Sequence, residues 1–168
     1  MKIEKTNALR ILEQNNIIHK AYEYEHNQDE FKDGATVASL IGEDPNRVFK
    51  TIVLVDSNKY FVCLVPVLEE IDLKKAAKAF KVKSLELLHV KDLFKLTGYI
   101  RGGCSPIGMK KSFKTVVDET ALLYDEIIFS GGRIGLQIEM NPLDLEKLID
   151  VSFNDILRWL YVSIRCWK

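Results

Sequence analysis

Short runs of apolar residues at two different spacings succeed one another along the chain and predict a mixture of helices and strands. Leu9 and Leu12 share a helical face after Thr6, which predicts a helix over Asn7–Gln14, capped by the threonine and stopped at Asn15-Asn16. Residues 17–25 alternate instead, with Ile18, Lys20, Tyr22 and Tyr24 on one side, as a strand does. Asp33 caps a short helix over 35–41 that Gly42 closes, and Asp44-Pro45 begins a further helical turn. Residues 48–55 form a strand that is apolar on both faces near its end, which places it centrally in a sheet. Ser57-Asn58 turns it back into a second apolar strand, Lys59–Pro66.

Asp72 caps a helix over Leu73–Phe80, and residues 84–88 and 90–96 predict two more short helical segments with His89 between them. Strands follow at 114–118, at 126–130 and through Ile138, with a short turn at 121–123; Asn141-Pro142 starts a helix over 143–148. The last residues, 153–168, break the pattern. Ile156, Leu157, Trp159, Leu160, Tyr161, Val162, Ile164 and Trp167 make them apolar nearly all round, unlike a solvated helix. A helical extension that packs on the domain, on a second copy or on a partner protein is expected there.

Composition narrows the function classes. The 168 residues suit one domain, 47% are apolar and 29% charged, and 24 Lys plus Arg balance 24 Asp plus Glu. No global basic field marks a nucleic-acid binder, though a local basic face needs no net charge. Lys74, Lys75 and Lys78 on one short helix could meet a phosphate backbone, or could be a solvated face. Cys63, Cys104 and Cys166 have no paired spacing, and His19, His26 and His89 no ligand spacing, so neither a disulfide framework nor a metal site is expected. The charged opening Met-Lys-Ile-Glu-Lys-Thr is not a signal peptide, and no apolar run approaches the ~20 residues of a membrane span. A cytoplasmic location and no membrane partner are expected.

Two places concentrate chemistry. Thr97 to Lys111 hold four of the nine glycines, Gly98, Gly102, Gly103 and Gly108, flanked by Arg101, Lys110 and Lys111. Such a loop can present main-chain N–H groups to an anion or a developing oxyanion. It is not a nucleotide-binding P-loop: Met109 stands where the lysine belongs, Pro106 removes an N–H, and a strand follows in place of a helix. The second place is Lys50, a lysine near the start of a central strand, costly to bury unpaired. It either reaches solvent or points into a pocket. Thr51 faces the other way along the strand, Tyr24 and His26 end an earlier one, and Ser130 stands at the mouth of a second glycine-rich connection, Gly131 to Gly135.

Val-Phe-Lys-Thr at 48–51, Leu-Lys-Lys-Ala-Ala-Lys at 73–78, the whole run 97–111 and Ser-Gly-Gly-Arg at 130–133 together resemble the YbaK/EbsC-type aminoacyl-tRNA deacylases, relatives of the editing domain of bacterial prolyl-tRNA synthetases. The likeness runs over about residues 3–152, its cysteine-specific branch being nearest. It implies an α/β single domain, a curved mixed β-sheet with flanking helices, over 1–152, with 153–168 as an extension. It implies a hydrolase that edits Cys-tRNA(Pro), or Ala-tRNA(Pro) in some relatives, acting on the tRNA(Pro) acceptor end beside prolyl-tRNA synthetase and without cofactor. Lys50 becomes the catalytic residue. Tyr24, Thr51, Gly102, Gly103, Cys104, Ser105 and Ser130 become the substrate-binding set, with amides of the glycine loop facing the ester. One departure is visible: Arg133-Ile134-Gly135 stands where many relatives have Lys-Arg-Gly.

The resemblance also implies a mechanism in which the substrate's own thiol attacks its ester. That fits a chain without a Ser-His-Asp arrangement or a convincing carboxylate pair. Cys104 as an enzyme nucleophile is the rival, and it has no histidine near it in sequence. Two further readings are a binding module that holds the aminoacyl end without turnover, and an interaction protein working through the apolar tail, which could also form a homodimer.

Overall fold

The computed structural model describes residues 3–27 and 31–159. Four α-helices, α1 (Asn7–Gln14), α2 (Gly34–Leu40), α3 (Leu73–Phe80) and α4 (Val90–Thr97), surround two sheets. The caps read from sequence are made: Thr6, Asp33 and Asp72 side chains accept from main-chain N–H groups of α1, α2 and α3.

The smaller sheet has the order β1 (His19–Glu23), β7 (Leu136–Met140), β6 (Ile127–Ser130), all antiparallel. The larger runs β4 (Glu86–Leu87), β2 (Phe49–Asp56), β3 (Lys59–Pro66), β5 (Thr115–Asp118), β8 (Val151–Asn154), antiparallel from β4 to β3 and parallel from β3 to β8. A single parallel bridge, Val48 to Ile128, joins the two. The curved mixed sheet expected from sequence is thus two sheets that touch at one point and fork.

Burial follows strand alternation. Phe49, Val53, Val62, Leu64, Phe129 and Ile138 belong to the main core, closed by α1 and by Ile107 of the glycine loop. On the other face of the larger sheet Leu54, Phe61, Cys63 and Val65 pack against Ala76 and Ala77 of α3. Val48 and Ile128 meet Ala38 of α2 in a third, smaller cluster.

Three local expectations change. Residues 84–88 are not helical: Leu87 pairs with Leu54 and Glu86 with Val55, and Leu85 is buried beside α3. A five-residue run with apolar residues two apart suits either element, and the exposed edge of β2 decides it. The helix expected at 143–148 is a 3-10 segment, Pro142–Lys147, capped by Asn141. The boundary expected between 152 and 153 falls inside β8, and no helix follows it up to residue 159. Ile156 and Leu157 are fully buried under α3, Ile156 N–H donates to Asp118 Oδ1 at 3.0 Å, and Lys75 Nζ donates to Leu157 O at 2.9 Å. Those apolar residues are domain core. The rest of the expected extension, 160–168, lies outside the described residues. No described helix is long and apolar enough to cross a membrane.

Candidate active site

A cavity of about 330 Å³ opens where the two sheets fork. Its walls come from the segment before α2 (Phe31, Lys32, Asp33), from α2 (Gly34, Val37), from β2 and its approach (Val48 to Thr51), and from Arg101, Gly102 and Cys104 of the glycine loop; Ser130 of β6 and Gln137 of β7 lie across the fork. Residues from both faces of β2 reach it because no strand covers that edge between Val48 and Leu54.

Lys50 lies in the wall, half-buried, and makes no ion pair or hydrogen bond with any described residue. Val48, Val37, Val67 and Leu93 supply apolar surface around it. An unpaired ammonium in such a wall is held by the fold and offered to a ligand. Thr51 beside it has its hydroxyl oxygen buried with no partner among the described residues. A buried orphan hydroxyl costs free energy, so Thr51 is held in the cavity wall at a cost to the fold.

The glycine loop contributes less of its backbone than the sequence suggests. Gly103 N–H is already donated to Ile100 O at 2.9 Å, and Ser105 is fully buried, its Oγ accepting from Ile107 N–H at 3.3 Å. Neither residue lines the cavity. Their work is to shape the turn: a Cβ on Gly103 would stand 2.9 Å from the main chain of Arg133, so the two glycine-rich connections pack backbone on backbone. Gly102, at φ +85°, takes a conformation that favours glycine, and the N–H groups of Gly102 and Cys104 donate to no described residue. Those two are the loop amides that remain for an oxyanion.

Cys104 is 7% exposed, and burial pushes its thiol up to about 12, with a hydrogen bond involving Thr97 pulling the other way. Thiolate chemistry needs the opposite shift, so Cys104 is a wall residue rather than a nucleophile. Tyr24 lies just past β1, its N–H on Gly135 O at 3.0 Å and its ring edge-on to His26, outside the cavity lining. Of the eight residues expected from sequence, Lys50, Thr51, Gly102, Cys104 and Ser130 are brought together, whereas Tyr24, Gly103 and Ser105 stand around them.

Sequence reasoning missed Gln137 and Phe31, whereas Arg101, read as a positive flank of the glycine loop, does line the cavity. Gln137 pairs across from Ser130 and is 6% exposed, but in the alternating Leu-Gln-Ile-Glu-Met of β7 it reads as one residue of a solvated face. Phe31 carries no signal of its own: the Arg101 guanidinium lies 4.1 Å from its ring centroid, a pairing across seventy residues that only the fold creates. Among the described residues no group of three His, Cys, Asp or Glu stands placed to share a metal ion.

Known proteins resemble this chain in sequence and in fold. The chain is 45% identical over 154 residues, 91% of its length and 93% of the relative's, to an Enterococcus faecalis protein named "Putative Cys-tRNA(Pro)/Cys-tRNA(Cys) deacylase EbsC". Its fold matches, at a TM-score of 0.78, 22% identity and coverage of 94% of this chain and 100% of the other, a structure titled as a putative trans-editing enzyme for prolyl tRNA synthetase. It matches the hypothetical protein APE2540 at a TM-score of 0.81 and 19% identity, over 91% of this chain and 100% of that one. With the family profile described as "Aminoacyl-tRNA editing domain" matching residues 29–148, a stretch that carries Lys50, the glycine loop and Ser130, the chain belongs to the aminoacyl-tRNA editing family, in its YbaK/EbsC type.

Proposed function

We propose that this protein hydrolyses cysteine from mischarged tRNA(Pro), acting in trans beside prolyl-tRNA synthetase. The observation that carries the reading is Lys50, unpaired among the described residues, in a cavity wall that also holds two loop amides without a described partner and a thiol, Cys104, that is not activated. The name of the Enterococcus faecalis relative supports cysteine as the amino acid removed.

Cysteine and proline differ little in size, and a methylene is worth only about 1–3 kcal/mol of discrimination. A second site that sorts by chemistry removes the difficulty. A cysteine thiol ionises near pH ~8.5, so a thiolate fraction exists at neutral pH, and proline has no equivalent. In the proposed reaction the substrate sulfur attacks its own ester carbonyl carbon. The C–O bond to the terminal ribose breaks, the thiol proton ends on the ribose oxygen, and the cyclic thioester so released adds water to give free cysteine. The protein supplies no nucleophile. Lys50 steadies the negative charge on the thiolate or the departing oxygen, and the amides of Gly102 and Cys104 receive the carbonyl oxygen as it becomes an oxyanion. One such donor is typically worth ~10²–10³ in rate.

The test is hydrolysis of Cys-tRNA(Pro), Ala-tRNA(Pro) and Pro-tRNA(Pro) by wild type and Lys50→Ala. Cysteine alone is released, and the variant folds normally but is inactive. Release of alanine instead would move the protein to the size-sorting branch and remove the thiol step. No release from folded wild type would leave a binding module.

A further inference from the structure

The wall beside Lys50 includes main chain as well as side chains. Val48 C=O accepts Val67 N–H at 2.8 Å, and Val53 C=O accepts Leu88 N–H at 3.0 Å. Main-chain groups of a strand point alternately to its two edges. The even-numbered residues of β2 therefore direct theirs to β3, and Phe49, Thr51 and Val53 direct theirs to the outer edge. Pairing on that edge ends at the Val48–Ile128 bridge and resumes only at Leu54–Leu87. No described strand takes up the Phe49 C=O or the Thr51 N–H between them. Phe49 and Thr51 both line the cavity, and the Phe49 side chain belongs to the main core.

Resting on the deacylase reading, we infer that the aminoacyl group binds this bare edge as a strand of one residue. Its ammonium donates to Phe49 C=O and its ester carbonyl accepts from Thr51 N–H. Those are the two bonds of a parallel bridge opposite Lys50, in the direction that β6 already takes beside β2. The pairing adds the Thr51 amide to the loop amides around the carbonyl oxygen. Residues opposite one another put their side chains on the same face of a sheet, so the cysteine side chain lies on the face of Lys50 and its thiol beside the ammonium. An amino acid is recognised in this way by the two groups every amino acid has, and the side-chain test is left to Lys50. The mode requires a free α-amino group and the L configuration, since a D residue would turn its side chain to the Thr51 face.

The experiment separates this inference from the activity. The probes are 3′-amino-3′-deoxyadenosine acylated through a stable amide with L-cysteine, with D-cysteine and with 3-mercaptopropionate, which lacks only the amino group. Calorimetry on the full chain reads their binding without turnover. The L-cysteinyl probe binds about 10- to 100-fold more tightly than the deamino probe, the range for a hydrogen bond to a charged group. The D-cysteinyl probe loses at least as much. Equal affinity of all three overturns the edge, whatever the fate of Cys-tRNA(Pro). Turnover gives the second measurement: Cys-tRNA(Pro) and 3-mercaptopropionyl-tRNA(Pro), each rate divided by the spontaneous hydrolysis of the same ester, differ by a similar factor. Undiminished acceleration of the deamino ester also overturns the inference. If Cys-tRNA(Pro) itself is stable to the protein, the deacylase reading fails, and the calorimetry decides the edge alone.

Discussion

Arg47 reaches from the turn before β2 to Glu139 on β7, Nη1 to Oε1 at 3.0 Å, and so ties the strand that carries Lys50 to the sheet that carries Ser130 and Gln137. The same guanidinium holds Glu43 at 2.6 Å, beyond the end of α2, and Glu126 O at 3.3 Å, beside β6. The Tyr22 hydroxyl from β1 lies within hydrogen-bond reach of both carboxylates, which share its one proton. One cluster thereby ties together β1, β2, β6, β7 and α2 around the fork. Its members are charged and largely buried, so each relies on the others.

Removing the guanidinium should therefore loosen the site without touching it. Arg47→Ala leaves Glu43 and Glu139 facing each other without a cation, and the expected loss is roughly 2–4 kcal/mol of stability with kcat reduced more than binding. Arg47→Lys recovers less than half, because an ammonium cannot serve three acceptors in a planar fork. Denaturant unfolding and single-turnover hydrolysis on the three proteins check both statements. An Arg47→Ala protein of wild-type stability would show that the cluster bears no load.

The cluster also sets a pH dependence. The hydrogen bond from Tyr22, with Arg47 acting the same way against desolvation, holds the Glu43 carboxyl below its ordinary range. A carboxyl lowered in the folded state stabilises the fold above its unfolded value, about 4.3, and loses that contribution as pH falls through its folded value. Glu126 runs the other way: its hydrogen bond to Glu139, with desolvation, raises it, so it favours the fold in acid and loses that as pH rises. Tyr22→Phe removes the donor from Glu43. Its melting temperature should lie several degrees below wild type at pH 7, and the gap should begin to narrow as pH falls past the unfolded carboxyl value, about 4.3, and vanish only below the lowered folded one. A gap that stays constant across the titration would mean that packing, not the hydroxyl, was lost.

Cys104 separates two mechanisms. A thiol that burial pushes up to about 12 is not a thiolate at neutral pH. Cys104→Ser keeps the volume and places a hydroxyl near Thr97, so deacylation within about threefold of wild type is expected, with slow alkylation of the native thiol at pH 8. Complete loss of hydrolysis by a folded Cys104→Ser would install the enzyme nucleophile after all.

What the sequence disclosed and what it hid follow the range of the interactions. Helix caps and apolar alternation act over a few residues, and α1, α2, α3 and β3 could be read from them nearly to their ends. Lys50 was visible because it violates its own strand, and Thr51 because it follows Lys50. The fork was not visible, since it depends on one bridge between residues eighty apart, Val48 and Ile128. Without the fork nothing in the run from Phe49 to Thr51 reveals that its backbone is bare. The Arg47 cluster was hidden for the same reason: each member reads as an ordinary surface charge until β1, β6, β7 and α2 converge. Residues 84–88 were misread as helix, and the start of the apolar tail, whose packing on the domain was among the expectations, was misread as a helical extension, because their partners, β2 in one case and β5 with α3 in the other, are distant in sequence.

Gly103 and Gly42 make a matched pair for the glycine loop. Gly103 has room for nothing: a Cβ would lie 2.9 Å from Cα and C of Arg133 and from N of Ile134, main-chain atoms that cannot swing aside. Gly42 is the reverse, with nothing within 4 Å of its Cβ but a φ of +71°. Gly42→Ala should cost about 1–2 kcal/mol in stability from the left-handed conformation alone and leave kcat untouched. Gly103→Ala should cost a comparable amount, since overpacking is typically worth about 1–3 kcal/mol, but it must push the two glycine-rich connections apart. The Gly102 and Cys104 amides move with the loop, and a displacement near ~1 Å at such donors is worth ~10² in rate. Two proteins of similar melting temperature should thus differ by about two orders of magnitude in kcat. If Gly103→Ala were as active as Gly42→Ala, the loop amides would have no part in holding the oxyanion, and the Thr51 amide would be left to hold it alone.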